Sequence, residues 1–381
     1  KAFIGSEANR TLALEAARQT ITLLKNDNGL APLDINKVKS IAVVGPNANR
    51  FLLGGYSGEP TFFTTFVDGI KQKVGDKVKI TYSEGCKITT TSGWSQDKVE
   101  VPTIEEDRKL ISEAIAAART ADVIVLAIGQ NEQVSREAWS REHMGDRTDL
   151  DLIGRQNELI DAMVATGKPV IAFVFNGSPL SFNKLVNKVP TIFECWYLGQ
   201  ELGNATAEVL FGDYNPGGKL PITTPRSVGH VPAYYNYKPA ARRGYLFDDV
   251  SPLYAFGYGL SYTTFDISEP KLERSTIKIG ESIKVTVDVK NTGARKGDEV
   301  VQLYIRDKVS SVTRPVKELK DFKRITLESG EQKTVTFEIT PEKLSFYNIN
   351  MKYGIEPGEF VIMTGNSSRD QDQKNSILVV E

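Results

Sequence analysis

The first part of the chain alternates short apolar runs with longer segments in which apolar residues recur every three or four positions. The short runs predict buried strands, and the helical spacing predicts amphipathic helices. The predicted strands are residues 39–44, 78–82, 123–128, 170–175 and 191–195. The predicted helices are residues 7–24, 62–74, 103–119, 154–166, 179–185 and 200–211. This alternation predicts an α/β/α sandwich with a mostly parallel sheet.

The pattern changes after residue 218. Residues 219–265 are rich in proline, glycine and tyrosine and have little periodicity, which predicts a linker clamped on a domain surface. Beyond them, apolar and polar positions alternate, as in half-buried strands. These strands are predicted at residues 282–289, 300–305 and 334–339, with turns at 291–293, 328–330 and 356–358. The sequence therefore predicts an α/β domain over 1–218, a linker over 219–265 and an all-β sandwich over 266–381, for which we expect a structural role.

A highly charged loop follows the predicted strand 123–128. Residues 129–152 contain three glutamates, three arginines, one tryptophan and one of the two histidines of the chain. In open α/β sheets, ligands bind beyond the carboxyl ends of the strands, where loops present side chains from a rigid base. We therefore interpret this loop as the place of the chemistry, and the alternative is a solvated surface loop with ion pairs.

Composition narrows the class of protein. A length of 381 residues accommodates roughly two or three domains. The formal net charge of -1 gives no electrostatic argument for binding nucleic acid or an anionic membrane, and no apolar run is long enough to span a bilayer. Two cysteines and two histidines make a disulfide framework or a zinc site improbable. The chain begins at Lys1 without an initiator methionine, so we expect a piece of a longer protein.

The glycine-rich loop at residues 47–60 raises the hypothesis of a nucleotide-binding α/β protein. The loop contains neither G-x-x-x-x-G-K-[ST] nor G-x-G-x-x-G, the two patterns that bind phosphates through backbone amides. The sequence therefore disfavours nucleotide binding.

Six segments carry motifs that together cover much of the chain. They are AARQTITLLKNDNGLAPL (16–33), IAVVGPNA (41–48), GDRTDLDL (145–152), GKPVIAFVFNGSPL (167–180), WYLGQELGNATAEVLFGDYNPGGKLPIT (196–223) and YLFDDVSPLYAFGYGLSYTTF (245–265). In this order they resemble the carboxyl-terminal part of family 3 glycoside hydrolases, the β-glucosidase and β-xylosidase family. The resemblance implies an α/β/α sandwich followed by a fibronectin type III-like domain.

The same resemblance implies a function shared with a missing part. Members of this type have an amino-terminal (β/α)8 barrel with the nucleophilic aspartate in a Ser-Asp-Trp-like motif, and no such motif occurs here. We therefore expect the acid/base part of an exo-acting, retaining β-glycosidase without metal or organic cofactor. A β-glucosidase is favoured and a β-xylosidase is the alternative. This chain alone should not hydrolyse an aryl β-glucoside, because it lacks the nucleophile.

The acid/base glutamate is expected on the charged loop. The segment SREAWSR (135–141) resembles the family pattern S-G-E-A-x-S-R, which favours Glu137. Other members carry the glutamate a few residues before G-D-R, which would select Glu142, and Glu132 is a third candidate. Arg136 replaces the glycine of the pattern, so the assignment stays open. The glutamate that acts should lie in apolar surroundings that raise its pKa toward working pH.

Further residues are candidates for binding sugar or supporting the loop. Trp139 could stack on a sugar ring or form a hydrophobic lid. Tyr56 and Ser57 resemble family positions at the sugar entrance. His143, near the substrate, is predicted to be a hydrogen-bonded scaffold residue, with a catalytic base as the alternative. Two further residues are predicted to pin the loop by ion pairing, Arg147 and Asp149.

The expected partners follow from the resemblance. They are a β-linked oligosaccharide or glucoside, the amino-terminal barrel of the same enzyme and a possible second copy in a homodimer. A periplasmic or secreted location is expected by analogy. The rival hypothesis is a non-catalytic carbohydrate-binding or scaffolding module, which predicts that Glu137 and Glu142 are dispensable.

Overall fold

The computed structural model describes residues 3–58, 60–239 and 244–381. The chain forms two compact units. The first consists of Lys1–Gly218 and Pro225–Val231, and the second of Lys219–Thr224 and Pro232–Glu381. The predicted role of residues 219–265 as a linker stays a prediction.

The first unit contains a six-stranded sheet with the strand order β1-β6-β5-β4-β2-β3. Its strands are β1 (Thr22–Asn26), β2 (Ser40–Val44), β3 (Lys79–Ser83), β4 (Val123–Gly129), β5 (Val170–Phe175) and β6 (Thr191–Glu194). Its α-helices are α1 (Glu7–Thr20), α2 (Phe66–Val74), α3 (Ile104–Arg119), α4 (Gln156–Ala165), α5 (Asn183–Lys188) and α6 (Leu202–Phe211). All neighbouring strands are parallel except β1, which pairs antiparallel with β6. The predicted α/β class with a mostly parallel sheet is confirmed.

Strand β1 corrects the prediction of one helix over residues 7–24. Helix α1 ends at Thr20, and Ile21 is already extended, with φ -62° and ψ 123°. Residues 20–22 are three consecutive β-branched residues, which favour extended backbone. The buried side chains of Thr22, Leu23 and Leu24 then extend the sheet beyond β6. Helical spacing alone could not show that the helix ends at Thr20 and that a strand begins at Thr22.

Side-chain caps set the starts of α2 and α3. A capping box starts α3: the Thr103 side chain accepts from the Glu106 amide, and the Glu106 carboxylate accepts from the Thr103 amide. Helix α2 begins at Phe66 rather than at the predicted residue 62, because the Thr65 side chain caps it by accepting from the Asp68 amide.

The second unit is a β-sandwich, so the predicted all-β sandwich is confirmed. One sheet has the order β13-β10-β7 with β8 also paired to β10, the other has the order β12-β11-β16-β17-β9, and β14 pairs with β15. The strands are β7 (Phe265–Ile267), β8 (Lys271–Leu272), β9 (Thr276–Ile277), β10 (Ile283–Asn291), β11 (Gly297–Asp307), β12 (Glu318–Leu327), β13 (Gln332–Ile339), β14 (Phe346–Tyr347), β15 (Tyr353–Gly354), β16 (Gly358–Gly365) and β17 (Gln373–Val380). One short helix, α7 (Pro341–Leu344), follows β13.

The core of the second unit explains which strands the alternation predicted. In β10 the buried Val285, Val287 and Val289 alternate with more exposed residues, and they join the core cluster with Leu303 and Phe337. Strand β12 lies at a sheet edge and has almost no fully buried side chain, so it lacks this signal.

The parallel strands place several loops at one edge of the first sheet. Residues 45–65 follow β2, residues 84–103 follow β3, and residues 130–155 follow β4. Because the carboxyl ends of parallel strands lie at the same edge, these three loops are neighbours in space. The charged loop predicted to carry the chemistry is therefore part of a larger set of loops on a buried base.

Candidate active site

Residues 136–146 form a closed loop after β4. The amide of Asp146 donates to the Arg136 carbonyl at 3.3 Å, and the amide of Ala138 donates to the Asp146 carboxylate at 3.3 Å. A Cβ on Gly145 would lie 2.4 Å from the carbonyl carbon of Glu137, so a glycine is needed there for the two ends to approach. The closed loop therefore has a tight neck at residues 136–138 and 144–146 and a tip at residues 139–143.

Arg136 holds the neck of the closed loop from the inside. Its side chain is only 6% exposed, and its guanidinium donates to the carbonyls of Trp94, Gln96 and Asp97 and to that of Met144. Residues 94–97 belong to the loop after β3, so this one side chain ties two loops together. Reasoning from sequence noted Arg136 only as a departure from the family pattern and missed this role.

The three candidate glutamates have different settings. Glu137 lies at the neck and Glu142 at the tip, and both are exposed. The Ser140 hydroxyl accepts from the Glu142 amide at 3.3 Å, which shapes the tip. Glu132 is partly buried and accepts from the Leu53 amide at 3.0 Å, so it ties the β4 loop to the β2 loop. Glu137 is exposed in this chain. The apolar surroundings predicted for the acid/base glutamate therefore stay a prediction.

A cluster of aromatic side chains covers the tip of the closed loop. Trp139 stacks on His143 with ring centroids 3.6 Å apart and an interplanar angle of 4°. Trp94 packs against Trp139 at 4.9 Å and against Tyr56 at 5.2 Å. Trp139 remains 56% exposed and Tyr56 87% exposed, so both could contact a ligand. The sequence predicted both residues but missed Trp94, which lies in a segment without periodicity.

His143 is fully buried beneath Trp139. Its Nδ1 lies 2.8 Å from Asp97 Oδ1, and its Nε2 is buried without a hydrogen-bond partner among the described residues. The position under the tryptophan ring fits a scaffold residue better than a base in contact with substrate. The predicted position of His143 near the substrate stays a prediction.

A cleft of about 780 Å³ lies beside these loops. Its lining includes Ser57, Trp94 and Glu132 from three different loops, together with the charged Arg50 and Asp68. The Ser57 hydroxyl donates to the Leu53 carbonyl at 2.7 Å, which fixes the bend of the glycine-rich segment. A cleft with aromatic walls and a few carboxylates has the chemistry to bind a sugar.

Arg147 and Asp149 lie just beyond the neck. Arg147 Nη2 is 2.7 Å from Asp149 Oδ1 and also donates to the Asp151 carbonyl, while Asp149 Oδ1 accepts from the Asp151 amide at 3.0 Å. These contacts organise the turn at residues 147–151. A direct bond from this pair to residues 136–146 is not among the hydrogen bonds of the described residues.

A buried carboxyl group lies at the same edge of the sheet. Glu194 ends β6, is 3% exposed, and has its pKa raised by burial to about 8, although hydrogen bonds from the Trp196 amide, the Asn176 side chain and the Cys195 amide oppose the shift. The neighbouring Tyr197 hydroxyl lies 2.8 Å from the Ser135 hydroxyl, which connects the loop after β6 to the loop after β4.

Comparison with known proteins decides the family. The glycosyl hydrolase family 3 C-terminal domain matches residues 21–262. The chain belongs to this family. The fibronectin type III-like domain matches residues 299–368. The family resemblance and the two-part fold expected from the motifs are confirmed.

The family relatives include enzymes of two specificities. The chain is 45% identical to a β-xylosidase of Formosa agariphila, covering 99% of this chain and 51% of that protein. It is 41% identical to a periplasmic β-glucosidase of Salmonella typhimurium, covering 95% of this chain and 49% of that protein. The chain thus spans about half the length of these relatives.

Solved structures show the same fold. A β-glucosidase from Erythrobacter marinus superposes with a TM-score of 0.94 at 40% identity, covering 99% of this chain and 51% of that one. A β-glucosidase from Listeria innocua in complex with isofagomine superposes with a TM-score of 0.86 at 33% identity, with 99% and 51% covered.

Two features are absent from the part of the chain that the structure describes. Across residues 3–58, 60–239 and 244–381, no group of three or more His, Cys, Asp or Glu side chains is placed to hold a metal ion. None of the described helices is both long and apolar enough to cross a membrane.

Proposed function

We propose that this chain supplies the general acid/base of an exo-acting, retaining β-glycosidase, and that Glu137 is the residue. The observation that carries the proposal is the closed loop: it presents the exposed Glu137 carboxylate from a neck held by Arg136, at the carboxyl edge of a buried parallel sheet. A carboxyl group that transfers a proton must be held within hydrogen-bond distance of its partner atom, and a rigid backbone position provides this.

The geometry favours Glu137 over Glu142. Glu137 follows Arg136 directly, and its backbone is in close contact with Gly145 across the neck. Glu142 lies at the tip, where the Ser140 hydroxyl supplies the local hydrogen bonds. The neck is the more rigid position, so it is the better place for a catalytic carboxyl group.

The proposed reaction needs a second carboxyl group from the barrel. A barrel aspartate attacks the anomeric carbon while Glu137, protonated, gives its proton to the leaving oxygen. Glu137 as carboxylate then takes a proton from water, which hydrolyses the glycosyl-enzyme intermediate. No metal or organic cofactor takes part in this scheme.

For the substrate we propose a terminal, non-reducing β-D-glucosyl residue on an oligosaccharide or glucoside. The β-glucosidases among the relatives support this choice, and the β-xylosidase of Formosa agariphila supports a β-xyloside as the alternative. The periplasmic relative supports a periplasmic or secreted location. A homodimer stays a prediction.

Azide rescue tests the proposal in the full-length protein that contains this chain. Glu137→Ala should lower kcat on an aryl β-glucoside with a good leaving group by about 10²-fold or more, because the deglycosylation step loses its base. Azide should restore turnover, since it attacks the intermediate without needing a base, and the product should be the β-glycosyl azide.

Glu142→Ala is the matched control, an exposed glutamate on the same loop. It should keep kcat near the wild-type value and should not respond to azide. Rescue of Glu142→Ala alone would move the role to the tip. Unchanged kcat in both variants would instead support a non-catalytic carbohydrate-binding or scaffolding module.

A further inference from the structure

Arg136 is a buried cation whose donors are directed at backbone carbonyls. Nη1 lies 2.7 Å from the Trp94 carbonyl and 2.5 Å from the Gln96 carbonyl, Nη2 lies 3.1 Å from that of Asp97, and Nε lies 2.9 Å from that of Met144. The ion pairs of the described residues include no carboxylate partner for it. Its charge is therefore balanced by carbonyl dipoles from two loops.

Only a guanidinium fits this arrangement. Arginine has five N–H donors in a planar fork, so a single side chain can satisfy carbonyls that diverge from one another. Lysine carries a compact ammonium that donates from one point and cannot span the same set. The position before the proposed acid/base glutamate is a glycine in the family pattern. In this chain it holds an arginine that binds backbone carbonyls of two loops.

The contacts of Arg136 hold the backbone next to the proposed acid/base residue, which directly follows it in the chain. Its side chain ties the neck to residues 94–97, and its own carbonyl accepts from Asp146 across the neck. The segment 94–97 also supplies Trp94, which packs on Trp139. Removal of the guanidinium would free the backbone on the amino-terminal side of Glu137 and loosen the aromatic cluster at the same time.

We propose that Arg136 is a positioning residue that sets the place of the Glu137 carboxyl group. The inference rests on the proposed function of Glu137. In this proposal, the loop after β3 holds the Glu137 carboxyl group in the position for proton transfer, through the one buried guanidinium of Arg136. A displacement of about 1 Å in a catalytic group can cost about 10²-fold in rate, so loss of this anchor should be measurable.

Leaving-group dependence tests the proposal in the full-length protein. In Arg136→Ala, kcat/KM should fall on the order of 10–100-fold for β-glucosides with poor leaving groups, which need the proton. For dinitrophenyl β-glucoside, whose leaving group needs no proton, the fall should be about threefold or less. For poor leaving groups, the kcat/KM of Arg136→Lys should lie between those of the wild type and Arg136→Ala. The control is Arg141→Ala, which changes an exposed arginine on the same loop and should match the wild type.

Chemical rescue separates positioning from general damage. Guanidinium chloride at millimolar concentration should restore Arg136→Ala on poor leaving groups by refilling the cation site, whereas sodium chloride at equal ionic strength should not. Rates are expressed per active site, titrated with a slow covalent 2-fluoro glucoside, so that unfolded protein does not count. If Arg136→Ala folds too poorly to titrate, the leaving-group profile of Arg136→Lys decides alone.

The outcomes distinguish the two proposals. An equal fall on all leaving groups, or a profile like that of the wild type, overturns the positioning role of Arg136 while azide rescue of Glu137→Ala still supports the proposed function. Failure of azide rescue in both Glu137→Ala and Glu142→Ala overturns the function itself. A steeper leaving-group dependence that guanidinium reverses supports the role of Arg136.

Discussion

At the scale of single residues, burial sets the chemistry of Glu194 more than its type does. The side chain is buried at the end of β6, and its pKa rises from 4.5 to about 8. At neutral pH it is therefore mostly a neutral acid that can both donate and accept hydrogen bonds. Sequence alone could not reveal this burial, because a glutamate after an apolar run also fits an exposed strand end.

Stability should consequently depend on pH through Glu194. Below about pH 4.5 the group is protonated in both states, and from there to about pH 8 only the unfolded state releases the proton. The free energy of unfolding should therefore decrease as pH rises through this window, by up to about 5 kcal/mol from this group. Glu194→Gln, which cannot ionise, should lack this part of the decrease.

Urea unfolding of the wild type and Glu194→Gln at pH 5, 6.5 and 8 measures the effect. The difference between the two proteins should grow in favour of the variant as pH rises. A difference independent of pH would contradict the raised pKa.

At the scale of elements, helices α2 and α6 approach each other through glycines. A Cβ on Gly69 would lie 2.0 Å from the Gly203 carbonyl oxygen, and a Cβ on Gly203 would lie 2.1 Å from the Thr65 carbonyl oxygen. The amide of Gly203 donates to the Thr64 carbonyl at 3.0 Å, so this contact also fixes the start of α2. The separation of the two helices is thus set by the absence of side chains.

Gly69→Ala should therefore destabilise the first unit. Alanine is intrinsically better than glycine in a helix by about 1 kcal/mol, but the clash with backbone forces the helices apart. We expect a net loss of about 1–3 kcal/mol in the free energy of unfolding, measured by urea titration with circular dichroism. Gly58→Ala is the control, since nothing lies within 4 Å of its added Cβ, and it should change stability by less than about 0.5 kcal/mol. Stabilisation by Gly69→Ala would show that the two helices can separate freely.

At the scale of the whole molecule, the two units differ in what they contain. The first holds every candidate site residue, and the second is a sandwich whose core is formed by alternating apolar residues. The chain also spans about half the length of the relatives it matches. The proposed activity is therefore divided between this chain and sequence outside it.

The 381-residue chain by itself should not hydrolyse an aryl β-glucoside. A retaining mechanism needs two carboxyl groups about 5–5.5 Å apart, and the proposed nucleophile belongs to the barrel. The measurement is release of the aryl group by the purified chain, with the full-length protein as the positive control. Turnover by the chain alone, abolished by Glu137→Ala, would show that the barrel is not required.

The sequence by itself determined most of the element types, the two-part architecture and the family. Local information is sufficient for these: helical and alternating periodicity, the capping box at Thr103 and Glu106, and six motifs in a fixed order. It also limited the acid/base candidates to the loop after β4. The edge strands β1 and β12 were not predicted, because pairing with their neighbours defines them rather than a pattern in their own sequences.

Only the tertiary structure decided how the candidate site is held together. The anchoring of Arg136 to residues 94–97 joins segments that are distant in sequence, and the closure of the loop and the stacking of Trp139 on His143 depend on contacts that no periodic pattern shows. The raised pKa of Glu194 and the glycine contact between α2 and α6 have the same origin. Periodicity reports which face of an element is buried, whereas these features depend on which atoms of other elements are there, and that is known only when the chain is folded.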